Sequence, residues 1–326
     1  MHYPKQDATQ TPHEATAIQQ ALGRVTRGET VAVDGLTITP LLDTQAGTAQ
    51  YLTLQEATGS GRFSVKEVSN AGSVSILLVS NQGPSPVFLL DGEELLGAKQ
   101  NRIVNLSLMV PTDCEMEIPV TCVEQGRWSH VSDEFRPIGN SLYSTARARK
   151  MSQVSESLAA RRMPTSNQSE VWGDIVTKTQ RLRVGSHTDA MDAIFAQRRS
   201  HLARFVSACA PVEHQVGAVF LLHGLECGIE FFEAPSTWIQ LMPKVVRSWA
   251  VDAIDKQMWQ ATEPTRQANF VDELAAGTWQ LSSSLGLGAD ARLMDRNVTA
   301  AGLLIVDAVV HLASFRTSEA QACVVD

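Results

Sequence analysis

Seven side chains able to do chemistry crowd into two short runs of this 326-residue chain, GEELLGAKQNR (Gly92–Arg102) and CVEQGRW (Cys122–Trp128). They are Glu94, Lys99, Gln100, Arg102, Glu124, Arg127 and Trp128. Arginine presents a planar fork suited to phosphate, and Lys99 adds a point charge. A glutamate binds ribose hydroxyls, or acts as a general base once burial raises its pKa. Glu94 and Glu124 are therefore the catalytic candidates, and Lys99, Gln100, Arg102, Arg127 and Trp128 the ligand-binding ones. Hydrolysis or transfer at a phosphorylated ribose uses these residue types, and so does plain recognition of the same ligand. The competing reading is structural: a partly buried ion-pair network that closes the end of a sheet.

The elements that must position these groups read as two consecutive β-hairpins over Val87–Trp128. Asp91-Gly92 is a two-residue turn signal between Phe88-Leu89-Leu90 and Glu93-Glu94-Leu95. Strands over Gln100–Val110 and Met116–Gln125 flank a second loop. Setting Val110 against Met116 pairs Leu108 with Ile118, Leu106 with Val120 and Val104 with Cys122, all apolar on one face. The next pair in that register is Arg102 against Glu124. Internal pairs Glu94–Lys99 and Arg102–Glu124 then leave Gln100 and Arg127 without partners, beside Gly97 and Gly126, which leave room for a ligand.

These two runs, about twenty residues apart, resemble the ARG and rhodanese-phosphatase-superfamily-associated protein domain, where ARG stands for ADP-ribosylglycohydrolase. The resemblance extends from about Val31 to Phe315 through weaker segments: Gln168 with Val171-Trp172, the Gly217 to Phe231 hairpin, and His311 to Phe315. That family name records the company its genes keep. The resemblance implies a link to ADP-ribose or nucleotide metabolism and supplies no reaction.

Composition is that of a globular protein, 44% hydrophobic and 19% charged with a net charge of −8, which argues against general nucleic-acid binding. Charge is uneven: Thr145–Phe205 holds eleven Lys or Arg against five acids, a solvated helical face or a positive field over a phosphate-bearing ligand. Five cysteines, at 114, 122, 209, 227 and 323, form no CxxC pair and read as reduced thiols of a cytoplasmic protein. The polar N-terminus lacks the apolar core of a secretory signal, and Ala300–Val310 is too short to span a bilayer. No phosphate-binding loop, nucleophile elbow or zinc motif is present, and the eight histidines never fall at metal-ligand spacing. The sequence leaves the cofactor open and names no metal-ligand residue; any metal would have to be held by carboxylates.

Along the chain, residues 1–14 read as a disordered tail and 15–326 as one family domain. Within it, 30–128 is β-rich, 141–210 helical, and 216–315 a hairpin, a helix and strands. Asp34-Gly35 and His223-Gly224 mark hairpin turns. The second pairs Leu222 with Leu225, Phe220 with Cys227, Ala218 with Ile229 and Val216 with Phe231, turning Glu226 and Glu230 to the other face. Short strands are expected at Tyr51–Leu54 and Phe63–Val68, and helices at Ala15–Gly23, within Leu142–Arg162, at Thr188–Cys209 and at Gln267–Ala276. Trp172 reads as a core anchor of the helical middle or as a stacking platform for a base. Asp307 and His311, on one face of an extended Thr299–Phe315, read as a satisfied buried pair or as part of the site. The predicted fold is α+β, with antiparallel β-rich N- and C-terminal parts around a helical middle. The predicted function is an enzyme or binding protein for an ADP-ribose-like or other phosphorylated nucleotide, with a non-catalytic scaffold as the alternative.

Overall fold

The computed structural model describes residues 12–69, 72–160, 162–255 and 270–317. The fold is α+β, with three antiparallel-dominated sheets and the helices concentrated in the middle of the chain.

The largest sheet begins with β1 (Thr26–Arg27), β2 (Val31–Val33) and β3 (Leu36–Leu42), and continues through β13 (Gln215–Leu222) and β14 (Leu225–Phe232). It ends with β15 (Gln280–Ser283), β16 (Ala289–Asp295), β17 (Val298–Ile305) and β18 (Ala308–Arg316). Their order is β1-β3-β13-β14-β18-β17-β16-β15, with β2 also on β3. Both predicted hairpin turns form here. Asp34-Gly35 has φ of 42° and 84°, and His223-Gly224 has 49° and 87°. Two successive positive φ values match the twist of paired strands, which explains Asn, Asp, His and Gly at such positions.

A six-stranded sheet holds β5 (Phe63–Glu67), β6 (Ile76–Asn81), β8 (Glu93–Gly97), β9 (Arg102–Val104), β11 (Cys114–Cys122) and β12 (Phe135–Ser141). Its order is β12-β8-β9-β11-β6-β5. A small sheet of β4 (Leu52–Thr53), β7 (Val87–Leu89) and β10 (Leu108–Val110) lies beside it, with β4 parallel to β7. One apolar cluster, including Val79, Leu89, Leu95, Val104 and Ile118, serves both.

The helices are α1 (Pro12–Arg24), α2 (Leu54–Gly59), α3 (Ser144–Ala159), α4 (Gln168–Arg181), α5 (Asp192–Gln197), α6 (Arg199–Ala208), α7 (Pro235–Ala253) and α8 (Phe270–Ala276). Helices α3 to α7 cover one face of the large sheet, contributing Met151, Ile175, Phe205, Trp238 and Trp249 to the main core. On the opposite face α1 and α8 contribute Ile18, Leu22, Phe270 and Leu274. The basic middle is thus helical as expected. The helix expected over Thr188–Cys209 is two, broken at Arg198. Positions 267–269 of the expected Gln267–Ala276 helix, and 1–11 of the expected tail, lie outside the described residues.

Four expectations fail for identifiable reasons. The strand expected at Tyr51–Leu54 ends at Thr53, where α2 begins with a capping box: Glu56 N–H donates to Thr53 Oγ1, and Thr53 N–H donates to Glu56. Asp91-Gly92 is a turn but not a hairpin. Only Gly92 has positive φ, 79°, and Glu93 N–H donates to Leu90 O at 3.1 Å. A turn with positive φ at its third position alone splays the flanking strands, and β7 and β8 leave it for different sheets. The expected hairpin of Gln100–Val110 on Met116–Gln125 forms only in part. β10 leaves for the small sheet, with Leu108 opposite Leu89 and Val110 opposite Val87, while Met116 and Ile118 face Val79 and Leu77 of β6. β9 alone meets β11, two residues off the expected register, with Arg102 opposite Cys122 and Val104 opposite Val120. Apolar residues alternate on β9, β10, β11, β6 and β7 alike, so an even shift, or an exchange of apolar partners, still leaves apolar facing apolar and the core pattern cannot choose among them. Finally, β13–β14 carries a bulge. Leu222 faces Leu225 as expected, but beyond it Phe220 faces Gly228 and Ala218 faces Glu230. One extra residue reverses the facing of everything after it, and Glu230 turns toward the helices.

Candidate functional site

The first candidate is the edge cluster foreseen in the sequence. Residues 98–101 link β8 to β9, and residues 123–128 leave the end of β11, so both charged runs emerge side by side. Glu124 joins them. Its Oε2 accepts from Asn101 N–H at 3.1 Å and from Arg127 Nε at 2.9 Å, and its Oε1 accepts from Thr188 Oγ1 at 2.9 Å. These bonds overcome the desolvation of burial and hold the Glu124 carboxyl below the ordinary glutamate pKa. Arg127 also donates to Ala98 O at 2.8 Å, Ser129 O at 3.1 Å and Asn101 Oδ1 at 2.9 Å. Gln100 donates to Glu124 O and accepts from Arg102 Nη1 at 3.2 Å. The two residues expected to lack partners are therefore the best satisfied.

The groups left incomplete are different ones. Arg102 is fully buried; its Nη1 reaches Gln100 O at 2.9 Å, Glu67 lies 3.9 Å away, and its Nε has no hydrogen-bond partner. Glu94 is also fully buried. Asn140 donates to its Oε2 at 3.1 Å, and Oε1 has no partner. Burial, followed by the charges of Asp192 and Glu124, pushes the Glu94 carboxyl up to about 8. Neither expected internal pair is formed as such: Glu94 takes Asn140, and Glu124 takes Arg127 instead of Arg102. The glycines do not open a cavity either. A Cβ on Gly126 would stand 2.8 Å from Thr188 Cα, and one on Gly97 would stand 2.6 Å from Glu134 O. Both glycines admit neighbouring backbone. The part of the cluster open to solvent is the Trp128 ring, 49% exposed, with Lys99 Nζ 5.5 Å and Arg102 Cζ 5.6 Å from its centroid.

The second candidate was not foreseen, and it forms a ring at the centre of the molecule. Asp91 accepts from Lys150 Nζ through Oδ1, and its Oδ2 lies 3.5 Å from Arg147 Nε. Arg147 Nη1 pairs with Glu230 Oε1, and Glu230 Oε2 lies 3.1 Å from His311 Nε2. His311 Nδ1 is 2.9 Å from Ser107 Oγ, which in turn accepts from Asp91 N–H at 2.9 Å. The ionised Glu230 carboxylate can only accept, which calls for a hydrogen on Nε2; in a neutral imidazole Nδ1 is then the acceptor and the serine hydroxyl the donor. The order hydroxyl, imidazole, carboxylate is one that can draw a proton from a serine. Here every member is buried. The adjoining cavity, lined by Asp91, Ser107, Asp290, Arg292 and His311, has room for roughly one water molecule. The Lys150 and Arg147 charges overcome desolvation and hold Asp91 below the ordinary carboxylate pKa, while burial draws Lys150 down to about 8.

The run Asp91-Gly92-Glu93-Glu94 thus sends its three carboxylates to three places. Asp91 goes to α3, Glu93 pairs with Lys244 on α7, and Glu94 faces Asn140 and Asp192.

Comparison with known proteins follows the same span. Residues 24–315 match the ARG and Rhodanese-Phosphatase-superfamily-associated Protein domain. The chain belongs to this family. No curated protein and no solved structure matches it.

Both the edge cluster and the ring lie inside this ARG and Rhodanese-Phosphatase-superfamily-associated Protein domain. Sequence reasoning placed His311 with Asp307, but β17 and β18 turn at Val306-Asp307, so Asp307 is exposed and His311 buried among Ser107 and Glu230. Trp172 is half-buried near the start of α4 and belongs to none of the buried core clusters. The described cysteines are free; burial pushes the Cys122 and Cys209 thiols up to about 11, so neither is a ready nucleophile. Among the described residues no group of three His, Cys, Asp or Glu side chains is arranged to hold a metal, and no helix is long and apolar enough to cross a membrane.

Proposed function

We propose that this protein recognises a phosphate-bearing small molecule of nucleotide or ADP-ribose type at the edge cluster. The observation that carries the reading is the half-exposed Trp128 ring with the Lys99 ammonium and Arg102 guanidinium against it. An aromatic face for a base beside the Lys99 ammonium for phosphate is what such a ligand requires, and the buried Arg102 supports the ring from within. Arg127 and Gln100 then act by fixing the loops that present Trp128 and Lys99. If the ligand is also transformed, Glu94 and Glu124 are the catalytic pair. They are coupled carboxylates whose surroundings drive their proton affinities apart, so Glu94 holds a proton at neutral pH and Glu124 does not. The family's association with ADP-ribosylglycohydrolases fits this ligand class. Net charge of −8 favours a small molecule over a nucleic acid, and the free thiols fit a cytoplasmic setting.

A scaffold role is the second reading, favoured by the bonds that Arg127 makes entirely within the protein. Thermal-shift titration with ADP-ribose, NAD, inorganic phosphate and divalent metals separates the two. Ligand recognition raises the melting temperature with ADP-ribose more than with phosphate. A scaffold shows no shift with any of these compounds.

A further inference from the structure

Two grooves of about 400 Å³ and about 280 Å³ lie side by side and share Thr48, Glu233 and Ile305 in their walls. They run between α1, the 46–51 segment and the β17–β18 turn, away from the edge cluster. The first is walled by Ala17, Ala21, Phe231 and Val309, and the second by Tyr51, Met109, Leu287 and Val310. Glu233 stands at their junction, between β14 and α7, where its own N–H donates to Val310 O at 3.2 Å. Tyr51 lines the same wall, and its hydroxyl lies 2.9 Å from Thr237 Oγ1. A second carboxylate, Asp307, sits on the rim of the first groove.

No ion pair involves Glu233 or Asp307 among the described residues. Arg24, which reaches the same wall, is held by Asp43 at 3.2 Å. The double groove is therefore mainly apolar, with a half-buried carboxylate at its middle that no cation of the described residues pairs with. A protonated nitrogen placed there restores the interaction with a charge that desolvation has weakened, and an apolar body on either side excludes water from the pair.

We propose that this double groove is a binding site for a small amphipathic amine, its ammonium on Glu233 and its apolar body against Met109, Leu287 and Val310. The site is independent of the Trp128 reading. Burial raises the Glu233 pKa, and the nearby Tyr51 hydroxyl offsets only part of the rise, so amine binding weakens as pH falls and the carboxylate takes up a proton.

Calorimetric titration of the full chain with 2-phenylethylamine, 2-phenylethanol and 3-phenylpropionate tests this directly. The amine is expected to bind at least tenfold more tightly than the alcohol and the acid. Glu233→Gln is expected to reduce amine binding to the level of the alcohol. Leu287→Arg, at a position 37% exposed and so tolerant of change, puts a competing cation in the groove and is expected to weaken the amine at least tenfold with no loss of folding. Equal binding of the three probes, no binding of the amine, or unchanged amine affinity in both variants overturns the proposal.

Discussion

The edge cluster and the inner ring use the same residue types to opposite ends. In the edge cluster the partners come from two loops that are neighbours on adjoining strands, and one ring, Trp128, remains open to solvent. In the inner ring the partners come from β14, β18, α3, the Asp91 turn and the Asn105–Ser107 segment, and every one is buried. A buried charge network adds little stability over a well-packed apolar one, yet losing one member strands its partner. The ring therefore joins the large sheet, α3 and the smaller sheets as one unit, whereas the edge cluster can lose its outermost groups at little cost.

The sharpest way to break this contrast is Arg147→Met, which leaves Glu230 and Asp91 buried without their guanidinium. We expect a loss of about 3–5 kcal/mol in urea unfolding; a loss below 1 kcal/mol, roughly the effect of an exposed pair, shows that the ring holds nothing together. Glu124→Gln comes next. It weakens the bonds that tie residues 98–101 to 123–128 and is expected to cost about 1–3 kcal/mol, visible as a lower melting temperature. An unchanged melting temperature means that Glu124 is kept for a ligand and not for the loops.

Glu94 gives the pH signature. Its folded pKa, about 8, is raised above the ordinary value of 4.5, so its contribution is complete below that ordinary value and is lost as pH rises through about 8. Glu94→Gln should flatten the fall in melting temperature across that window and leave the variant more stable than the parent at its alkaline end. A parallel fall in both proteins removes Glu94 from the account.

How far the sequence reached follows from the range of each signal. Local codes were legible: Asp34-Gly35 and His223-Gly224 make their hairpins, and Thr53-x-x-Glu56 makes a helix start that was there to read. The edge cluster came together because its two runs follow adjoining strands. Its internal pairing did not, because an even shift of β9 on β11 preserves the apolar match. Glu230 was turned the wrong way because a single-residue bulge lies between it and the turn. The ring was invisible for a plainer reason: Ser107 and His311 are 204 positions apart, and Arg147 and Glu230 are 83 apart. No periodicity connects such residues. The bent Asp91-Gly92 turn, which parts two sheets, adds Asp91 to them through Ser107, Arg147 and Lys150.

Trp128→Ala carries the smallest expected change in stability, within about 0.5 kcal/mol, because half the ring is already in water. It therefore tests the central claim most directly. Calorimetric titration of the parent and of Trp128→Ala with ADP-ribose, alongside their melting temperatures, should show binding that falls at least tenfold in the variant while the melting temperature stays the same. No binding by the parent, or equal binding by both, would contradict the account and leave the edge cluster as a clamp between two loops.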